Sequence, residues 1–529
     1  MISDQCSAIS GKKIGRIRQI NRICLIGQVL LCGSAIAAAP DAQSGMIGWR
    51  TDTTGRYPDA TPPLNWSPTK NVAWATNMPG QSASTPIIVG EKIFTMADPY
   101  WLVCVNKEDG KVLWKKSNDI KDVIEPGGMD AYKERCTKWF EAYETKLKLE
   151  IERVKIGEKL MDMPRDDTNL VARVEEIGRE IKKHDHDMSR LPQFALGSKK
   201  GGWHLGFTCA TPVSEGKTVF ALFGNGVGAM YDLDGNLKWA RFLRHRTKGY
   251  GQSQSPARIG DIIGIAFDDE FFALDAKTGK TLWIDYELQH QGSPVGINIG
   301  ELQCFITNDG NVRKASDGTK LSRLGLMRFH TPMVEKDGTV WYVPNDSVLA
   351  ATKLMPDGKG GVTKKGAGGG PAPGKIYWST PVIHDGYAYM WEGDENMVYV
   401  TDLKTRQIIF QQKLGLGAAY VSPTAAGRFV FVAGQGGTTC VLERGWKRTE
   451  LGPGKSRIDP VIKIIARNRT DGFWACPVFE GDRMYLRTFK TLYCFQATEA
   501  DKKKAAQVIK KPEKKKSMDE EFDDILDDM

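Results

Sequence analysis

The sequence lacks the short motifs that mark many metal, haem and hydrolase sites. Its 10 cysteines form no CxxC, CxxCH or adjacent Cys-Cys pair, so zinc, c-type haem and a vicinal disulfide have no signature. GxSxG, HExxH, P-loop and paired-carboxylate motifs are also absent. Cys104, Cys304 and Cys494 stand in apolar runs, where cysteine serves as a small buried hydrophobe. No catalytic residue and no metal ligand are therefore predicted.

The first 39 residues have the composition of an export signal peptide. Five basic residues precede an apolar run and small-residue cleavage sites; they are Lys12, Lys13, Arg16, Arg18 and Arg22. Cleavage would remove these five charges and Asp4, which lowers the formal net charge from +9 to +5. The excess of basic over acidic residues thus belongs in part to a targeting signal, and no nucleic-acid partner is predicted.

The leader predicts an exported protein of the periplasm or cell envelope, with no transmembrane span after signal cleavage. A retained N-terminal anchor is the alternative, although the apolar run is short for a membrane span. Lipid anchoring at Cys32 is not expected, because Leu31 stands where the bacterial lipoprotein signal that it resembles needs a small residue.

A small residue followed by proline recurs eight times along the chain. The prolines are Pro86, Pro212, Pro256, Pro294, Pro332, Pro381, Pro423 and Pro477. From Pro212 onward they are 38 to 54 residues apart, which is the length of a four-stranded sheet with its turns. Each copy reads as apolar strands joined by glycine-containing turns. The sequence predicts an all-β, eight-bladed β-propeller over residues 45–498.

The two ends of the repeat array complement each other. The segment "NVAWAT" at residues 71–76 resembles an outer strand but precedes the first copy, while the last copy ends after "TLYCFQA" without one. Trp74 is therefore predicted to belong to blade eight, which joins the ends of the propeller and leaves only short sheet edges.

The 126-residue gap between Pro86 and Pro212 holds a different pattern. Apolar residues at spacings of three and four predict two helices; they are Tyr132, Cys136, Trp139, Tyr143, Leu147, Ile151 and Val154, then Leu170, Val174, Ile177 and Ile181. We predict a charged helical hairpin within residues 120–198, which either braces the propeller or serves as a docking arm. Residues 351–375 are predicted to be a mobile Gly/Lys-rich loop and residues 499–529 a disordered charged tail.

One stretch carries a specific resemblance. Residues 273–283, "ALDAKTGKTLW", fit the pattern AxDxxTGxxxW at Ala273, Asp275, Thr278, Gly279 and Trp283. This stretch resembles the tryptophan-docking repeat of the pyrroloquinoline quinone (PQQ) propeller family. Related stretches keep Trp114 and Trp239, and Trp74 would act in the same way. The tryptophan offers a flat surface and an N–H that reaches the next blade, so these residues are predicted to be structural.

The resemblance implies two functional classes. The family includes quinone-dependent alcohol dehydrogenases and non-catalytic members such as the BamB-type lipoprotein of outer-membrane protein assembly. An active quinoprotein of the family needs calcium ligands, an aspartate base and typically a vicinal disulfide, and no such arrangement can be mapped onto this sequence. No cofactor is therefore predicted, and PQQ with calcium remains the alternative.

Residues just ahead of the repeated prolines are expected at the mouth of the central funnel. The candidate binding residues are His204, His245, Gln289, His290, Phe329, His330, Trp378, Tyr420 and Trp474. Aromatic and imidazole groups suit a planar or sugar-like ligand or a peptide segment, and packing between blades is the alternative.

These observations together predict an exported, monomeric, non-catalytic propeller. It would bind or scaffold protein partners of the cell envelope, or hold a small planar or sugar ligand. The alternatives are a divergent PQQ-dependent oxidoreductase and a carbohydrate- or polymer-binding propeller.

Overall fold

Strands arranged in eight sheets are the main regular structure of the described chain. The computed structural model describes residues 42–123, 128–162, 168–189, 208–244, 252–267, 269–286, 291–346, 348–372, 378–393, 395–452 and 455–507. The predicted leader, residues 1–39, lies outside these stretches. Within the described stretches, every sheet has a core of four antiparallel strands, as the repeats predicted. The predicted eight-bladed all-β propeller is confirmed.

The first four blades follow the repeats closely. Blade one comprises Ile87–Val89, Lys92–Ala97, Trp101–Asn106 and Val112–Ser117. Blade two comprises Val213–Ser214, Thr218–Leu222, Val227–Asp232 and Leu237–Phe242. Blade three comprises Ala257–Ile259, Ile262–Phe267, Glu270–Asp275 and Thr281–Tyr286. Blade four comprises Val295–Ile299, Leu302–Ile306, Asn311–Lys314 and Lys320–Arg323.

The last four blades carry the departures from regularity. Blade five comprises Met333–Val334, Thr339–Tyr342, Val348–Pro356 and Val362–Pro371. Blade six comprises Val382–His384, Tyr387–Glu392, Met397–Asp402 and Gln407–Lys413. Blade seven comprises Thr424–Ala426, Phe429–Ala433, Thr438–Gly452 and Lys455–Arg469. Blade eight comprises Val478–Glu480, Arg483–Arg487, Thr491–Gln496 and, from the other end of the chain, Val72–Asn77.

The last of these strands closes the ring as predicted. Val72–Asn77 pairs antiparallel with Thr491–Gln496, with Trp74 opposite Cys494. Because an N-terminal strand completes the C-terminal blade, blade eight cannot form without both ends of the propeller.

Parts of two segments that were predicted to be irregular instead form regular structure. The loop predicted at residues 351–375 falls largely within the paired outer strands Val348–Pro356 and Val362–Pro371, because the glycine-rich half pairs antiparallel with a largely apolar strand, with one irregularity between Ala351 and Thr352. The tail predicted from residue 499 begins with helix Glu499–Ala506, in which Thr498 and Asp501 form a capping box. Residues 508–529 lie outside the described chain.

The inserted helices are Gly128–Asp162 (α1) and Thr168–Ser189 (α2), and they pack against each other. Their shared core is Leu149, Ile156, Ile177 and Ile181. The stripe predicted on α1 was therefore wrong in part, since Ile151 and Val154 are 49% and 60% exposed. The α1 side chains that pack against α2 include Leu149 and Ile156, which were not among the residues predicted for the apolar face of α1. No helix in the described part of the chain is long and apolar enough to span a membrane.

The apolar core lies between neighbouring blades. Phe94 and Cys104 of blade one, for example, pack with Val219 and Tyr231 of blade two. The cysteines that the sequence predicted to be small buried hydrophobes, Cys104, Cys304 and Cys494, are all fully buried. Each sheet thus buries both faces against its neighbours.

Tryptophans from one blade dock on glycine turns of the next. The Nε1 atom of Trp239 in blade two donates to the carbonyl oxygen of Ala276 in blade three at 2.9 Å. A Cβ on Gly279, whose φ is +71°, would lie 2.6 Å from that indole, so only glycine fits the turn. Asp275 shapes the same turn by accepting from the backbone and hydroxyl of Thr278. Trp74, Trp114 and Trp283 donate in the same way to Lys107, Leu233 and Ala315.

A segment ahead of blade one crosses the axis of the propeller, and we call residues 42–57 the axial plug. Within it, Ile47 bridges Ser214 of blade two and Gln43 bridges Ile297 of blade four. Farther along, Arg56–Tyr57 runs parallel to the inner strand of blade seven. The axial plug therefore contacts inner strands from widely separated blades.

Candidate functional site

One axial cavity collects side chains from all eight blades. Its volume is about 440 Å³, and its wall comprises eighteen described residues. The third residue before each repeated proline contributes one layer: Ala83, Cys209, Ser253, Gln291, Phe329, Trp378, Tyr420 and Trp474. The residue directly before each proline contributes a second layer: Thr85, Thr211, Ser255, Ser293, Thr331, Thr380, Ser422 and Cys476. Trp49 of the axial plug and Gly292 complete the lining.

The two layers follow from the alternation of an extended chain. Successive side chains point to opposite sides, so residues one and three places before the proline share a side. His330 lies two places before Pro332; it is fully buried and does not line the cavity. It was predicted to bind because it lies in the segment that leads to Pro332, but the alternation of the extended chain directs it away from the cavity.

The layer next to the prolines forms a chain of hydrogen bonds around the axis. Each bond runs from a backbone N–H of one blade to the hydroxyl of the following blade at 2.9 to 3.1 Å. The pairs are Thr211 to Ser255, Ser255 to Ser293, Ser293 to Thr331, Thr331 to Thr380, Thr380 to Ser422, and Cys476 to Thr85. We call these eight residues, Cys476 included, the hydroxyl ring. These bonds give a role to six of the seven hydroxyl groups that precede the prolines, and the seventh belongs to Thr211.

The other layer is divided into two chemically different halves. Blades five to eight supply four aromatic rings in sequence, with centroid separations of 4.6 Å for Phe329–Trp378, 6.1 Å for Trp378–Tyr420 and 4.8 Å for Tyr420–Trp474. We call these four residues the aromatic wall. Blades one to four supply only small or polar groups, from Ala83 to Gln291. The cavity is therefore apolar and flat on one side and polar on the other.

Trp378 is held in an unfavourable backbone conformation within the aromatic wall. Its φ is +66°, in the left-handed region that bulky residues rarely adopt, and the residue is 37% exposed. Strain of this kind costs about 1–3 kcal/mol and persists where surrounding structure enforces it, often at ligand sites. The indole thus sits at a position that backbone preference alone would not select.

The floor of the cavity is made by the axial plug. Trp49 lines the cavity, and the guanidinium of Arg50 lies 5.1 Å from the centroid of its ring. Arg50 is fully buried and donates to the carbonyl oxygens of Pro381 at 3.2 Å and Pro423 at 2.5 Å. Burial lowers the pKa of Arg50, and it raises the pKa of the nearby Cys476 thiol. A cation therefore lies directly behind the hydroxyl ring.

The predicted site residues divide into three groups. Phe329, Trp378, Tyr420 and Trp474 are brought together in the cavity wall. His330 is buried elsewhere, as described above. The remaining four predicted residues, His204, His245, Gln289 and His290, lie outside the described residues.

The hydroxyl ring and the axial plug were not predicted as parts of the site. A signal for the ring was present, since every residue before a repeated proline is Ser, Thr or Cys. No comparable signal marked Trp49 or Arg50, because their segment belongs to no repeat.

The described lining does not fit PQQ with calcium. Calcium takes six to eight oxygen ligands, usually with carboxylates among them, and none of the eighteen described lining residues is charged. In the described chain no group of three or more His, Cys, Asp or Glu side chains could hold a metal ion. Cys209 and Cys476 both line the cavity but belong to different blades, so they are not a vicinal pair.

Known structures similar to this chain include propellers of two kinds. BamB from Moraxella catarrhalis is 18% identical, with 54% of this chain and 92% of that chain covered and a TM-score of 0.33. Quinohemoprotein alcohol dehydrogenase from Comamonas testosteroni is 11% identical, with coverages of 91% and 83% and a TM-score of 0.45. A europium-containing methanol dehydrogenase is 10% identical, with coverages of 80% and 87% and a TM-score of 0.45.

These are the two kinds of protein that the resemblance in the sequence named. No protein-family profile matches the chain, and no curated protein matches it. All three TM-scores are below 0.5, and the described strands and their pairing by themselves establish the propeller fold.

Proposed function

We propose that this chain is an exported, non-catalytic binding protein of the cell envelope, and that the axial cavity is its ligand site. The observation that carries the proposal is the convergence of all eight blades on one cavity of about 440 Å³. A concave, largely apolar site with a few directed polar groups is the usual form of a small-molecule site. The aromatic wall suits a flat ligand, which is a small molecule or a side chain of an envelope protein.

The chemistry of the described lining favours binding over catalysis. General acid–base or nucleophilic catalysis needs a positioned group whose pKa suits the task. The titratable lining residues are Cys209, Tyr420 and Cys476. Burial raises the pKa of the Cys476 thiol, which keeps it protonated and a weak nucleophile. The wall therefore offers contact surface and hydrogen bonds more readily than reactive groups.

Retention of quinone tests the non-catalytic part of the proposal. The full chain is purified, mixed with excess PQQ and calcium, desalted and scanned for quinone absorbance. We expect no stoichiometric retention, because the described lining supplies no calcium ligand set. Near-stoichiometric retention that is lost in Trp378→Ala would establish the quinone-dependent alternative and overturn the proposal.

Export is supported by the basic and apolar leader and is tested separately by fractionation. A C-terminally tagged full chain, expressed in a Gram-negative host, should be recovered from the envelope fraction. The matched control lacks residues 2–39 and should remain in the cytoplasm. Equal distribution of the two proteins would show that the leader does not direct export.

A further inference from the structure

The hydroxyl ring presents unused hydrogen-bond donors to the cavity. A serine or threonine hydroxyl has one O–H donor and two acceptor lone pairs. Ser255, Ser293, Thr331, Thr380 and Ser422 each accept a backbone N–H, and among the described residues none of them donates its own O–H. Five O–H groups at the base of the cavity are therefore free to donate to a ligand.

Thr211 provides an independent indication that something is held there. Thr211 lines the cavity, and its Oγ1 atom is buried and has no hydrogen-bond partner among the described residues. The residue is only 1% exposed. Buried hydroxyls are normally paired, because an unpaired one loses its hydration without a replacement. A ligand acceptor at the axis would satisfy this group.

Arg50 adds a positive charge behind the same ring. Its guanidinium contacts the carbonyl oxygens of Thr380, Pro381 and Pro423, and among the described residues Arg50 forms no ion pair with a carboxylate. Burial lowers the pKa of Arg50, and the charge of Asp52 offsets this only in part; the oxygens of Asp52 accept from Gln43 and Thr54. A buried cation without a directly paired anion favours negative charge in the adjoining space.

We propose that the axial cavity selects ligands in which a carboxylate is attached to a flat apolar body. The carboxylate oxygens accept from the hydroxyl ring in front of Arg50, and the flat body lies against the aromatic wall. This inference rests on the proposed function, since it requires the cavity to be the ligand site. It adds the charge of the ligand and its orientation, with the anion toward the axial plug.

Paired probes of equal shape test the charge preference. Binding of 1-naphthoate and of 1-naphthamide to the purified full chain is measured by isothermal titration calorimetry near neutral pH. A hydrogen bond to a charged group is stronger than one to a neutral group, so we expect naphthoate to bind at least about tenfold more tightly. Equal affinities, or tighter binding of naphthamide, would overturn this inference and leave the proposed function standing. Failure of both probes to bind would contradict both.

Thr211→Val is the variant that separates binding from folding. Valine has nearly the shape of threonine, and the removed hydroxyl has no described protein partner, so the free energy of unfolding should stay within about 0.5 kcal/mol. The affinity for naphthoate should fall about fivefold or more, while the affinity for naphthamide changes less than about twofold. Unchanged affinity for naphthoate would contradict the role of the ring.

Arg50→Met tests the charge itself. The substitution keeps an unbranched side chain and removes the guanidinium. Naphthoate and naphthamide should therefore bind with about equal affinity. Circular dichroism checks that the variant folds; if it does not, Thr211→Val alone carries the test. A folded variant that keeps the full preference would overturn the contribution of Arg50.

A further arm distinguishes a small acid from the end of a polypeptide. A peptide that ends in tryptophan with a free carboxylate is compared with its C-terminal amide. Binding of the acid form at the affinity of naphthoate would identify polypeptide carboxyl ends as the ligand. Binding of naphthoate without either peptide would identify free aromatic acids.

Discussion

The backbone N–H of Cys476 donates a hydrogen bond to Oγ1 of Thr85 at 3.1 Å, and this bond joins blade eight to blade one at the axis. At the outer strand, Trp74 pairs with Cys494 within blade eight, and its indole N–H donates to the carbonyl oxygen of Lys107 in blade one. The ring of blades is thus closed both near its axis and at its outer edge, by parts of the chain that are far apart in sequence. Both residues of the inner closure also line the axial cavity.

The hydroxyl ring should contribute to stability at each bonded position. In Thr331→Val the backbone N–H of Ser293 loses its acceptor at 2.9 Å and is left buried. We expect the free energy of unfolding to fall by about 1–3 kcal/mol, measured with urea. Thr211→Val is the matched control, because its hydroxyl has no described partner. Equal losses in the two variants would show that the inter-blade bond is not the cause.

The outer closure should depend on Trp74. Its indole is buried, donates to the carbonyl oxygen of Lys107 at 3.1 Å, and packs on Gly110. Trp74→Ala should lower the free energy of unfolding by about 3–5 kcal/mol, as expected for a large buried aromatic. Leu113→Ala is the control on an exposed outer position and should change it by less than about 0.5 kcal/mol. Equal losses of unfolding free energy in Trp74→Ala and Leu113→Ala would contradict a stabilising role of Trp74 in closing the ring of blades.

Stability should fall at alkaline pH because of buried thiols. Burial raises the pKa values of Cys104, Cys304 and Cys494 from 9.0 to about 12. Above pH 9.0 the unfolded thiols ionise while the folded ones stay protonated, so ionisation favours unfolding until about pH 12. Each thiol contributes at most about 1.4 kcal/mol per pH unit. Arg487, whose pKa is lowered to about 9, acts in the opposite direction.

The measurement is the free energy of unfolding between about pH 8 and pH 10.5. In a variant with all three cysteines replaced by alanine, we expect a shallower decline with pH, although its stability near neutral pH is lower. An unchanged slope would show that these thiols do not dominate the alkaline response.

The helical hairpin should depend on the face that meets α2. Ile177 is fully buried between the helices, whereas Val154 is 60% exposed. Ile177→Ala should raise amide hydrogen exchange throughout α1 and α2, because it opens a cavity worth about 2–5 kcal/mol. Val154→Ala should leave that exchange nearly unchanged, and exchange in the blades should not respond to either variant. A larger effect of Val154→Ala than of Ile177→Ala would support the apolar face of α1 that the sequence predicted.

Much of the fold could be predicted from the sequence, because the spacing of the repeats gives the length of each blade. The eight prolines indicated the positions of the blades. The segment around Trp74, which precedes the first repeat, indicated how blade eight is completed. The paired strands at 348–371 were missed because glycine and lysine runs resemble loops, whereas tertiary pairing with an apolar strand decided their structure. The helix face was misassigned because α1 carries more than one apolar stripe.

The site was only partly readable. The four aromatic residues were found because they recur at one position ahead of the proline. His330 was misplaced because the alternation of the extended chain was not applied to it. Trp49 and Arg50 could not be found from the repeats, because a segment outside the repeat array reaches the axis only after folding.

The most direct test of the central claim is whether the aromatic wall binds a ligand. The neutral fluorescent probe N-phenyl-1-naphthylamine is titrated into the full chain, into Trp474→Ala, and into Trp446→Ala, whose tryptophan lies in the long outer hairpin of blade seven. We expect saturable binding of one probe per chain, weakened about tenfold or more in Trp474→Ala and unchanged in Trp446→Ala. Binding that is insensitive to Trp474→Ala, or equally reduced in both variants, would contradict the assignment of the axial cavity as the ligand site.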